Sequence, residues 1–252
     1  MMRSSNPALG DKTFTQHIGR SEITSDVMTI QGTVNKTGFL LLLVIASASW
    51  AWGQSYTMTL EGPKISIPGY LWGAVIGAFI ISLIIIFKKE TAPYLAPVYA
   101  LTEGVVLGLI SAVFEMRYPG IVFQAVLGTF GTLFALLLAY KSGLIKATEN
   151  FKLGVAAATG GIALIYLLTM ILGFFKVQVP YIHESGAIGI GVSVFVCVIA
   201  ALNLVMDFDF IEKGAESRAP KYMEWYAAFG LLITLVWLYL EILKLLSKTR
   251  KK

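Results

Sequence analysis

Charge is scarce in this sequence: 14% of its 252 residues are Asp, Glu, Lys or Arg, against roughly a quarter in an average soluble domain. With 56% hydrophobic residues beside them, a water-soluble globular fold is excluded, because so much apolar surface needs lipid as its solvent. The single cysteine, Cys197, stands in an apolar run. It cannot form an intrachain disulfide and reads as a small buried hydrophobe. Only two histidines occur, His17 and His183, both in polar segments, so neither a zinc or iron site nor a Ser–His pair is expected among the helices. The formal charge of +5 is spread over helix ends and tails rather than gathered into an aromatic-interleaved patch, so nucleic acid is not an expected partner. The first 36 residues lack the apolar core of a cleaved signal peptide, which makes the first apolar stretch a permanent anchor.

What the chain does have is seven apolar stretches between Thr37 and Leu246, most of them about long enough to cross a bilayer. The first runs from Thr37 to the Trp50 and Trp52 pair expected at a membrane interface. The second, Pro68 to Phe87, carries no charge and spaces Gly69, Gly73 and Gly77 along one face for close helix contact. The third begins after Pro93 and Pro97, holds Glu103, Gly104 and Gly108, and reaches Met116. The fourth spans Ile121 to Tyr140 and the fifth Leu153 to Phe175. The sixth starts near Gly186 and passes Asn203, Asp207 and Asp209 before Glu212, Lys213 and Gly214 stop it. The seventh lies between Lys221 and Leu246 and contains Glu241. The expected fold is therefore an all-α membrane protein, with a polar N-terminal tail over 1–36, a seven-helix transmembrane domain over 37–247 and a basic C-terminal tail over 248–252.

Cationic loops stay in the cytoplasm. Lys88, Lys89, Lys141, Lys146, Lys152, Lys213, Arg218 and Lys221 fall on one side, against Lys64, Arg117 and Lys176 on the other, which favours a cytoplasmic N-terminus. Seven full crossings then leave the basic C-terminal tail outside, against the same bias, unless the last helix re-enters.

Acids inside the apolar stretches are the residues with most to explain, because an ionised carboxylate at mid-bilayer costs at least about 2.5 kcal/mol. Asp207 and Asp209 either cap the wet cytoplasmic end of the sixth helix or line a path through the bundle. Glu241 either snorkels and pairs with Lys244 three residues on, or faces the bundle interior. Glu103 lies well inside the hydrocarbon, beyond the boundary set by Lys88 and Lys89. Two carboxylates close together can hold a shared proton near neutral pH. Deprotonated, their oxygens suit a hard cation such as calcium.

Several runs resemble the Bax inhibitor 1 family. They are Met206-Asp207-Phe208-Asp209-Phe210-Ile211-Glu212, Leu238-Tyr239-Leu240-Glu241-Ile242-Leu243 and Pro97-Val98-Tyr99-Ala100-Leu101-Thr102-Glu103-Gly104. The run Met28-Thr29-Ile30-Gln31-Gly32-Thr33-Val34-Asn35-Lys36-Thr37 looks like the opening of a bacterial branch. The resemblance implies a seven-helix bundle, two triple-helix layers around a central C-terminal helix, in a bacterial inner membrane. It also implies a pH-sensitive calcium leak whose proton-sensing pair comes from the last two helices, Asp207 matching the first acid and Glu241 the second. Both acids are then the expected transient contacts of the transported calcium, Glu103 and Asp209 are supporting or pore-lining residues, and no resident cofactor is implied. Better-known bacterial relatives latch the first acid with an arginine in the second helix. Here that helix has no charge, so a latch would need another partner such as Lys88. The pair also requires Glu241 to lie at mid-membrane, which it does if Lys221 to Phe229 rests along the interface, anchored by Trp225 and Tyr226, and the crossing starts at Gly230. If the helix enters at Trp225 instead, Glu241 is about 24 Å deep and cannot reach Asp207.

Besides a leak channel, the family includes membrane interaction proteins that modulate proteolysis or stress responses by binding other membrane proteins. Here the glycine faces of the second and third helices are the only sequence support for that. An intramembrane hydrolase has less, since no helix carries a histidine base and an acid pair alone is not evidence of catalysis.

Overall fold

The computed structural model describes residues 27–59, 62–65, 68–175 and 186–250. The tail up to residue 26 with His17, the segment 176–185 with Lys176 and His183, and the last two lysines lie outside the described residues. Within them are seven helices long and apolar enough to cross a membrane, and the fold is the expected all-α seven-helix bundle. They are α1 (Ile30–Ser55), α2 (Tyr70–Phe87), α3 (Ala92–Arg117), α4 (Ile121–Lys141), α5 (Glu149–Phe174), α6 (Ala187–Glu216) and α7 (Met223–Arg250). A short antiparallel hairpin, β1 (Tyr56–Thr59) and β2 (Gly62–Ile65), joins α1 to α2 with Tyr56 opposite Ile65. Burial is greatest along α7, as a central last helix requires.

Several boundaries differ from the sequence reading, each for a local reason. Helix α1 starts at Ile30, so residues assigned to the tail form its first two turns. Helix α3 starts before both prolines. Pro93 occupies the first turn, where its missing N–H would have had no helical partner, and Pro97 is tolerated one turn later. Helix α5 opens at Thr148, whose hydroxyl accepts from the Phe151 amide at 3.3 Å, the usual N-cap contact. Helix α6 passes through Glu212, Lys213 and Gly214 instead of stopping there. Its end is made by Arg218, which takes a positive φ of 52°, while the amides of Arg218 and Ala219 return to the carbonyls of Ala215 and Gly214. That is a Schellman closure with arginine in the position glycine more often fills.

The described residues fall into two compact units, one of 27–122 with Phe210–Leu232 and one of Phe123–Asp209 with 233–250. In the first, α1 packs along α3 through a stripe at three- and four-residue spacing, Thr33, Thr37, Leu40, Val44, Ser47 and Ala51. Opposite lie Gly104 and Gly108, and a Cβ at either would strike α1: Ser47 and the Val44 carbonyl at Gly104, the Ala48 backbone at Gly108. In lipid, where apolar burial no longer drives association, such backbone approach supplies the packing. The turn into α4 is tied by Glu115, whose carboxylate accepts from the amides of Gly120 at 2.5 Å and Val122 at 3.1 Å. Gly120 itself needs φ +80°. In the second unit Gly128 of α4 meets Ile242 of α7 at 3.4 Å for an added Cβ, and Ile162, Val196 and Ile199 form a core between α5 and α6.

Helix α7 is unbroken from Met223 to Arg250. The expected interfacial segment up to Phe229 is instead enclosed by protein, with Met223, Tyr226, Ala228 and Phe229 fully buried. Tyr99 stands edge-on to Phe229 and Phe210 faces Tyr226. Tyr226 is thus a core residue rather than an interfacial anchor, and no bend at Gly230 resets the depth of Glu241. At its far end Lys248 donates to the Gly189 carbonyl at 3.0 Å and the Ser193 hydroxyl at 2.8 Å, and Arg250 donates to Gln124 at 2.9 Å. Because Gln124 and Gly189 open α4 and α6, α7 ends where those helices begin. Two of its terminal cations are thus occupied by protein acceptors.

Candidate functional site

The structure distributes the singled-out acids instead of collecting them. Asp209 meets Lys152 in the first turn of α5 at 3.0 Å, and the same ammonium reaches Glu149 at 3.3 Å. Lys152 is almost wholly buried. Asp209 lies about two turns before the end of α6 and takes up the lysine that opens α5. Asp207 lies two residues deeper and is 1% exposed. A further turn in, Asn203 donates to the Thr159 hydroxyl at 2.9 Å and to the Ile199 carbonyl at 2.8 Å, which fixes α6 against α5 at mid-height.

Glu241 is also 1% exposed. Its Oε1 accepts from the Tyr166 hydroxyl of α5 at 3.0 Å and from the Lys244 ammonium at 2.7 Å. Lys244 lies in turn over the Tyr166 ring, 4.9 Å from its centroid. Of the alternatives the sequence left for this acid, the pairing with Lys244 and the interior position occur together: the carboxylate is interior and the lysine comes to it.

Helix α5 measures the depth between these places. Lys152, beside Asp209, and Tyr166, beside Glu241, are fourteen residues apart, about 21 Å at 1.5 Å per residue. Asp207 is therefore about 18 Å in depth from Glu241, too far for the two to share a proton. The direct pair that a crossing starting at Gly230 was expected to allow is therefore not formed, and α7 runs unbroken through Gly230. Glu103, in the other unit, is half-buried on α3 and accepts from Tyr99 one turn before it.

One acid escaped the sequence reading. Glu224 in the first turn of α7 is completely buried. Its Oε1 accepts from the Thr29 amide and hydroxyl, both at 2.8 Å, and from Lys221 at 3.1 Å, while its Oε2 takes a short bond from Lys36. The Gly32 backbone passes so close that a Cβ there would strike the carboxylate. Thr29, Gly32 and Lys36 thus present one helical face, and their spacing of three and four was the signal available. Beside them Met28 donates to the Ala219 carbonyl at 2.7 Å and Val27 bridges Pro220, so the entry to α1 is fastened to the α6–α7 connection. Among the described residues no three His, Cys, Asp or Glu side chains gather as a metal cluster would; a cation at Glu241 would meet one carboxylate and a phenol.

Compared with known families, residues 6–251 match a family model described as Bax inhibitor 1 like. A search of curated proteins found no match.

Proposed function

Since the chain belongs to the Bax inhibitor 1 like family and is an integral membrane protein, we propose that it is a pH-sensitive cation leak with calcium as the transported ion. Protonation of Asp207 and Glu241 controls it. The observation that carries this reading is the Glu241 carboxylate, enclosed on α7 and, among the described residues, hydrogen-bonded by a phenol and one half-exposed lysine. A buried acid so lightly held can change charge or partner without dismantling the fold. The separation in depth makes the two acids successive stations on α6 and α7 rather than one pair. Asp209 with Lys152 supports the first station, and Glu103 acts within the other unit. The loop charges support a cytoplasmic N-terminus, and the bacterial inner membrane is the location the family resemblance implies.

The test is calcium flux into dye-loaded vesicles carrying the purified protein, across pH about 5 to 8. Asp207→Asn and Glu241→Gln should each remove part of the pH dependence and together remove all of it. A shared-proton pair would lose everything with either change, and a profile untouched by both would remove the acids from the mechanism.

A second reading, an interaction protein that modulates proteolysis or stress responses, is favoured by α2. An added Cβ at Gly77 meets the Thr102 side chain of α3 at 3.8 Å, but among the described residues nothing lies within 4 Å of one at Gly69 or Gly73, so the N-terminal part of that face is open to another membrane helix. No flux at any pH, together with a reproducible membrane partner lost on Gly73→Leu, would select it.

A further inference from the structure

We propose that Lys244 is a tethered counter-ion occupying the cation position at Glu241, and that a passing cation takes the site only by displacing it. The proposal rests on the leak reading and adds the residue that sets how readily the site fills. Three features carry it. The Lys244 ammonium is 2.7 Å from Oε1 of a carboxylate that is itself 2% exposed, whereas the lysine side chain is 43% exposed. The acid is fixed inside while the arm that neutralises it stands half outside, with room to swing. The second contact of the ammonium is the face of the Tyr166 ring at 4.9 Å, a surface that holds any cation without directional bonds. Both hydrogen bonds to the carboxylate end on Oε1, so the second oxygen can receive an entering ion before the lysine has left.

Lys248, one turn on, shows the contrast. Its ammonium donates to the Gly189 carbonyl and the Ser193 hydroxyl, so it acts on Glu241 through charge rather than contact. A tethered group competes at an effective concentration in the millimolar range or above. An ion from solution must exceed that, which keeps the station closed at low cation concentration. One carboxylate and a phenol are few ligands for calcium, which takes six to eight oxygens. Weak retention suits a site that must also release.

The experiment is equilibrium binding of radioactive calcium to the full chain in detergent micelles at pH about 7. Lys244→Met should bind calcium about tenfold more tightly than the parent, a change of about 1.4 kcal/mol, and Lys244→Arg should bind as the parent does. Adding Glu241→Gln to Lys244→Met should abolish the gain. Equal binding by the parent and Lys244→Met overturns the proposal, even where the parent shows pH-dependent flux. A gain that requires Glu241 in a chain without flux sustains it and removes only the leak. Acetylation of the unmodified protein gives a second readout independent of any variant's folding. Millimolar calcium should raise the labelling of Lys244 several-fold and leave Lys248 unchanged, and no calcium-dependent rise at Lys244 overturns the displacement.

Discussion

Glu224 and Glu241 stand seventeen residues apart on the same helix, both buried and both paired to a lysine three positions away. They belong to different compact units, and their surroundings differ in one respect that separates structure from function. Glu224 receives an amide, a hydroxyl and two ammonium groups spread over both oxygens. Glu241 receives a phenol and one ammonium on a single oxygen. A buried carboxylate with every lone pair engaged is a staple, because any change in its charge strands several partners at once. One with half its capacity engaged can exchange a partner or a proton and leave the fold standing.

The largest effect that could break this contrast is on stability. Glu224→Ala strands Lys36, Lys221 and the Thr29 amide and should cost about 3–5 kcal/mol, seen as a large fall in the thermal unfolding midpoint in detergent. Glu241→Gln keeps an acceptor for Tyr166 and should cost about 1 kcal/mol. Equal losses would erase the distinction between the two acids. Next in size, Gly32→Ala drives a methyl group into the Glu224 carboxylate and should cost about 1–3 kcal/mol, the usual range for overpacking. The same substitution at Gly38, with nothing within 4 Å among the described residues, should be neutral in the same assay.

Smaller still, Tyr166→Phe removes one donor from Glu241 and should lower stability by only about 0.5–1.5 kcal/mol; a loss as large as that of Glu224→Ala would make the Glu241 end a staple too. The smallest effect is a titration at the Glu224 end. Burial, and then the negative charge of Glu90, push the Tyr222 phenol up to about 12. A folded value above the unfolded one means that this stabilising contribution is whole below about pH 10 and is lost as pH rises through about 12. The difference in alkaline absorbance between the parent and Tyr222→Phe reads it directly, and a phenol titrating near 10 would show that this end is wetter than its packing implies.

Much of this was legible without coordinates, and the reasons can be given residue by residue. Apolar stretches without charge declare their own crossings, because the bilayer core admits little else. Gly104 and Gly108 announced a close helix contact, and α1 fills it. The helix ends were less legible. Gly214 reads as a stop, yet its carbonyl serves a closure centred on Arg218, and a proline pair that reads as a start lies inside α3. Such ends depend on which backbone groups find partners, and several nearby residues could have supplied them.

The amino-acid sequence by itself determined that this chain lives in lipid, that it forms seven helices, that it belongs to its family, and that α6 and α7 carry unusual acids. Each of these follows from composition, or from the order of residues within one stretch. Only the tertiary structure decided what those acids do with their charge. Thr29 and Lys36 reach Glu224 across 195 and 188 residues, Tyr166 reaches Glu241 across 75, and Asp207 is held about 18 Å in depth from Glu241 by the rise of α5. Partners so remote in the chain meet through helix packing, which no local pattern encodes, and a buried carboxylate takes its role from the donors that packing delivers.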